Sequence, residues 1–110
     1  MQEYKLYING EWKDSSNGKR FDSINPATEQ KWASFSEANA EDVNNAVESA
    51  YIAFKGEWSK LFPSQRGNFL RKIGDQLKQN AEILGTIETK DTGKMFKETK
   101  FQANYIAEYY

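Results

Sequence analysis

Residues 63–93, PSQRGNFLRKIGDQLKQNAEILGTIETKDTG, decide how the chain is read. Phe69, Leu70, Ile73, Leu77, Ala81, Leu84 and Ile87 recur at steps of mostly three or four, which puts them in one stripe on an α-helix. Pro63 suits the first helical position, and Ser64 can cap the free N–H groups of the first turn. Asn80 divides the run, being a good N-cap for a second helix with Glu82 in its first turn. Gly93 is placed for the left-handed conformation that ends helices, and Lys90 and Lys94 sit where cations favour the helix C-terminus. The pattern predicts helices over about 64–79 and 80–92.

Upstream, Asn39 and Asp42 have capping-box spacing, although Asp is shorter than the usual Glu or Gln. Val43, Ala46, Val47, Ala50, Tyr51 and Phe54 follow at offsets 0, 3, 4, 7, 8 and 11, an amphipathic helix over about 40–55 that Gly56 ends. This helix and the central stretch are expected to pack together, burying Val43, Val47, Ala50, Phe54, Leu70, Ile73, Leu77 and Leu84. Residues 57–62 read as a connector anchored by Trp58 and Leu61. Before the helices, strands are expected over about 5–36. Leu6-Tyr7-Ile8, Asn9-Gly10 and Glu11-Trp12-Lys13 make a tight antiparallel hairpin, because both central residues of a type I′ turn need positive φ. Ser15-Ser16-Asn17-Gly18 and Asn25-Pro26-Ala27-Thr28 are turns. Trp32 and Phe35 break strict alternation, which implies a bulge or a strand buried on both faces. Downstream, a last helical pattern runs over about 95–110, with Ala103, Ile106, Tyr109 and Tyr110 on one side. It ends on two aromatics without a cap, so the chain reads as a fragment or a truncated form. Strands first and helices after, with three to four helices, give an α+β fold in a single segment, 1–110.

Composition narrows the chemistry. Net charge is −1, which implies no basic face and no nucleic-acid partner. There is no Cys and no His, hence no thiolate nucleophile, no Cys-ligated metal and no imidazole base. The N-terminus lacks the apolar run of a signal peptide, and no segment is long and apolar enough to span a bilayer. A soluble, cytoplasmic protein without a membrane partner is the expectation.

Six motifs in order carry a resemblance across the whole chain. They are Leu6-Tyr7-Ile8-Asn9-Gly10-Glu11-Trp12, Ile24-Asn25-Pro26-Ala27-Thr28-Glu29, the helix from Glu41-Asp42-Val43 to Ala53-Phe54, Trp58-Ser59, Arg66, and Glu88-Thr89-Lys90-Asp91-Thr92-Gly93-Lys94. Together they resemble the N-terminal portion of the NAD(P)-dependent aldehyde dehydrogenase superfamily. The resemblance implies a parent oxidoreductase, commonly a homo-oligomer, that oxidises an aldehyde to a carboxylic acid with NAD or NADP. In that chemistry a Cys attacks the aldehyde, hydride passes to the nicotinamide and water releases the acid. The Rossmann-type cofactor domain, the Cys, the general-base Glu and the oxyanion Asn would all lie beyond Tyr110. The residues agree, because no Gly-x-Gly-x-x-Gly occurs, and no catalytic or cofactor-binding residue is expected in this chain. The family commonly has Gly where this chain has Glu29, and often Pro where it has Met95.

The resemblance also implies two partial sites. One is a monovalent-cation site using the Asp91 carboxylate and the main-chain carbonyl of Ser23 or Ile24, oxygen ligands that suit a hard cation. The alternative for Asp91 is a solvated surface carboxylate that caps the Asn25 turn. The other is a wall of the substrate tunnel at Gln102 and Ile106, one turn apart on one helix face; ordinary packing of Ile106 is the alternative. Glu88 and Asp91 share a face but nothing suggests a cleft for acid/base work. The basic run Lys90, Lys94, Lys97 and Lys100 is better explained by dipole pairing and solvation than by phosphate binding. Two further readings of function stand beside the enzyme: a non-catalytic helical interaction module and an inactive family member.

Overall fold

A computed structural model describes every residue from Met1 to Tyr110. The chain divides into two compact units, one of residues 1–24 and 31–60, the other of residues 25–30 and 61–110.

The first unit begins with β1 (Gln2–Tyr4), which pairs in parallel with β5 (Gln30–Ser36), Tyr4 lying opposite Phe35. β4 (Arg20–Asn25) joins β5 on its other side, so β5 is the central strand. This explains why Trp32 and Phe35 fail to alternate. Both faces of β5 are covered, and Ala33, Ser34 and Ser36 are buried between half-buried Trp32 and Phe35. Tyr4 stacks on Phe35 at 4.9 Å and meets Trp32 edge-on at 6.1 Å. β2 (Leu6–Ile8) and β3 (Glu11–Lys13) form the antiparallel hairpin, with Asn9 and Gly10 at φ of 53° and 78° as a type I′ turn demands.

α1 (Ala40–Lys55) opens with a complete capping box: the Asn39 side chain accepts from the Asp42 N–H, and Asp42 accepts from the Asn39 N–H. A short helix, α2 (Glu57–Lys60), occupies the connector. In the second unit, α3 (Pro63–Gln79) and α4 (Ala81–Thr92) are followed by α5 (Phe96–Ile106) and a 3₁₀ turn, Ala107–Tyr109. Two caps differ from expectation. Ser64 makes no cap at the start of α3. Instead the Gln65 side-chain Oε1 reaches back to accept the Phe62 N–H at 2.8 Å. Asn80 does not cap α4 through its side chain; its Nδ2 donates to the Gln76 carbonyl and closes the end of α3.

The expected helix-pair core is corrected. Val43, Val47 and Phe54 are 52%, 63% and 61% exposed, Ala50, Leu70 and Ile73 are exposed too, and Leu77 and Leu84 are only half-buried. α1 and α3 belong to separate units. α1 turns its polar face, Asp42, Asn45 and Ser49, toward Ile8 and Asn9, which leaves the apolar stripe outside. The helices of the second unit close on one another through small residues. A Cβ on Gly85 would stand 2.8 Å from the Lys100 backbone N, and one on Gly74 2.6 Å from the Ala107 carbonyl O. The only buried apolar side chains are Ala33, Ala81 and Ala107. Close backbone approach, rather than interdigitated Leu and Phe, defines what interior there is.

Candidate functional site

The α4–α5 hairpin positions the residues with a candidate role. Gly93 takes φ of 76° to end α4, and a Cβ there would lie 2.7 Å from the Pro26 ring, so glycine is required twice over. Met95 then starts α5 from an extended conformation, φ −64° and ψ 130°. Thr99 locks the two helices. It is fully buried, its hydroxyl donates to the Gly85 carbonyl at 2.9 Å, and it also meets the Thr89 hydroxyl at 2.9 Å. The opposite face of α5 is thereby turned outward.

That outward face carries an open groove of about 690 Å³ lined by Met95, Lys97, Glu98, Phe101, Gln102 and Tyr105. Gln102 is part of its wall. Ile106 lies a turn further on, half-exposed, outside the groove lining. Phe101 stacks on Tyr105 at 6.0 Å, and Tyr105 meets Tyr109 edge-on at 5.3 Å with their hydroxyls 2.6 Å apart. That hydrogen bond, with burial and the Glu108 charge adding to it, raises the Tyr109 phenol above its ordinary value. The groove can therefore offer an aromatic wall and an amide. Lys97 and Glu98 add a basic and an acidic side chain to the lining.

Asp91 occupies the last turn of α4 and Ile24 the end of β4, each exposed. The two belong to different units. No cluster of three or more His, Cys, Asp or Glu side chains forms in the chain. Glu88 is held by Lys94 at 2.8 Å and Glu82 by Lys100 at 3.0 Å, so two members of the basic run are engaged in ion pairs.

The strongest electrostatics lie elsewhere, in the first unit, and are structural. Arg20 spends its guanidinium on one junction: Nε to the Ser34 hydroxyl, Nη1 to Ser36 and Asp14, Nη2 to the Tyr4 and Ser34 carbonyls, all at 2.9–3.2 Å. It ties β1 and β5 to the loop after β3. Lys5 above all, and Arg20, hold the Asp14 carboxyl below its ordinary value. Asp42, 6% exposed, accepts from the Asn39 and Ser16 N–H groups, and those bonds lower its pKa in the same way. Sequence reasoning missed Arg20, since a lone arginine in a strand has no local signature.

The sequence profile of the aldehyde dehydrogenase family matches residues 12–110. The chain is 48% identical over 111 residues to a (Z)-2-((N-methylformamido)methylene)-5-hydroxybutyrolactone dehydrogenase of Acinetobacter baylyi, covering 100% of this chain and 22% of that protein. Its fold superposes on an NAD-dependent aldehyde dehydrogenase from Sinorhizobium meliloti with a TM-score of 0.93 at 26% identity, covering 97% of this chain and 22% of the other. A betaine aldehyde dehydrogenase from Staphylococcus aureus, solved in complex with NAD+, gives 0.89 at 38% identity over 94% of this chain and 21% of that one. The chain belongs to the aldehyde dehydrogenase family, whose N-terminal portion it resembles. It spans about a fifth of the length of these relatives.

Proposed function

We propose that this chain is the N-terminal portion of an NAD- or NADP-dependent aldehyde dehydrogenase that oxidises an aldehyde to a carboxylic acid. The observation that carries the reading is the family match from residue 12 to residue 110 at about a fifth of the relatives' length. The exposed stripes support it. Val43, Val47 and Phe54 on α1, and Phe69, Leu70 and Ile73 on α3, repeat at helical spacing, the pattern of surfaces built to be covered. The rest of the enzyme is the cover.

In this reading the chain is a scaffold. It has no Cys, no His and no glycine-rich phosphate loop, so its residues do not fit a nicotinamide cofactor and no chemical step is assigned to them. Alone it is inactive and binds neither NAD nor NADP. Its contributions to the parent enzyme are a stretch of substrate-tunnel wall at Gln102 and Ile106, and oxygen ligands for a monovalent cation from Asp91 and the Ile24 carbonyl. The parent is a cytoplasmic homo-oligomer. No helix of this chain is long and apolar enough to cross a membrane.

Reading the gene beyond codon 110 tests the proposal. A continuing frame with a glycine-rich cofactor loop and a reactive Cys supports it. An immediate stop codon favours a non-catalytic helical module, and a full-length frame with the Cys replaced identifies an inactive family member.

A further inference from the structure

Asn-Gly pairs occur twice, at Asn9–Gly10 and Asn17–Gly18. Each lies in a turn with its glycine at positive φ, 78° and 69°. In such a pair no Cβ on the second residue hinders its backbone nitrogen from reaching the asparagine Cγ. The structure treats the two differently. The Asn17 Oδ1 accepts from the Ser15 hydroxyl at 2.6 Å and from the Lys19 N–H at 2.9 Å. The Gly18 N–H, the group that would attack, donates to the Ser15 carbonyl at 2.9 Å. Asn9 has no comparable restraint. Its exposed carboxamide makes no hydrogen bond and the Gly10 N–H donates to no carbonyl; the space at the two glycines is equally open, with nothing within 4 Å of where a Cβ would be on either. The turn also tips a hairpin of two three-residue strands, an element short enough to open locally.

We propose that Asn9 is a site of spontaneous covalent modification, converting to aspartate and isoaspartate through a cyclic imide, while Asn17 is held inert. The Gly10 amide gives up its proton to solvent base, and its nitrogen bonds to the Asn9 Cγ. The side-chain nitrogen takes up a proton and leaves as ammonia. Water then opens the ring at either carbonyl, giving aspartate or isoaspartate with no oxidant or reductant needed. Isoaspartate routes the main chain through the side-chain methylene. The type I′ turn that pairs Leu6 with Lys13, Tyr7 with Trp12 and Ile8 with Glu11 is then lost. The new carboxylate also enters a small cleft already lined by Asp14 and Asp42, with Lys13 as its cation.

The test ages the whole chain in mildly alkaline buffer made with heavy-oxygen water, followed by peptide mapping and isoaspartate-specific carboxyl methylation. The Asn9 peptide is expected to take up label and methyl groups about tenfold or more faster than the Asn17 peptide, whose hydrogen bonds must open first. Asn9→Gln should abolish the fast signal. In denaturant the two sites should converge. Equal rates in the folded chain, faster reaction at Asn17, or an Asn9 that reacts only in denaturant would overturn the proposal.

Discussion

Replacing Glu29 with glycine should stabilise the chain, and the size of the gain follows from one dihedral angle. Glu29 closes the turn between β4 and β5 with φ of 57°, and its N–H donates to the Asn25 carbonyl at 2.8 Å. Holding an L-residue in the left-handed region costs about 1–2 kcal/mol, because Cβ crowds the following carbonyl. Glycine has no Cβ, but its freer unfolded chain returns about 0.4–1 kcal/mol of that gain. The Glu29 side chain is exposed and makes no hydrogen bond or ion pair, so nothing else is lost. Glu29→Gly should therefore add about 0.5–1 kcal/mol, a rise of roughly 2–8 °C in midpoint for a domain of this size. Urea unfolding followed by Trp fluorescence is a suitable assay, since Trp32 sits on the neighbouring strand β5. A Glu29→Val control, β-branched at the same φ, should move the midpoint the other way. Were Glu29→Gly neutral or destabilising at unchanged m-value, the strain assigned to this turn would be wrong.

Three further outcomes are expected. Met95→Pro should stabilise by about 0.5–1 kcal/mol in thermal melts, because φ at Met95 is already −64°, the value a proline ring fixes. Gly85→Ala should cost about 1–3 kcal/mol, since the added Cβ meets the Lys100 backbone at 2.8 Å and pushes α4 from α5; unchanged stability would contradict the close approach. Asp42 has a folded-state pKa below its unfolded value near 3.9, so its contribution is complete above that pH and drains away as pH falls through the lower folded value. Asp42→Asn should flatten the acid limb of stability below about pH 4, seen in urea midpoints across a pH series, and an unchanged limb would refute that role.

Signals confined to a few neighbouring residues were legible in the sequence. Asn9-Gly10 announced its turn, Asn39 and Asp42 their capping box, and Gly93 the end of α4. The departure at Glu29 from the glycine that the resemblance leads one to expect pointed to this turn, where a side chain is held at φ of 57° at a cost. What stayed hidden was non-local. Nothing in Gln2–Tyr4 says that it pairs in parallel with β5, and nothing local says that Arg20 will gather Tyr4, Ser34, Ser36 and Asp14. The apolar stripes misled for a physical reason. Periodicity shows that a helix face is meant to be covered but not by what. Here α1 gives its polar face to the hairpin, while small residues on α3 and α4 take the interior positions. Among the candidate site residues, Gln102 was brought to a groove wall, but the pattern did not anticipate the Phe101–Tyr105–Tyr109 ladder beside it.

The proposed function makes this chain one part of an aldehyde-oxidising enzyme whose chemistry resides outside Met1–Tyr110. The direct measurement is aldehyde-dependent formation of NADH or NADPH by the polypeptide encoded by the whole gene, followed by absorbance across a panel of aldehydes, with the 110-residue chain as the parallel sample. Reduced cofactor is expected from the whole product and none from the 110 residues alone. Turnover by this chain by itself, or a correctly folded whole product that reduces neither cofactor with any aldehyde, would contradict it.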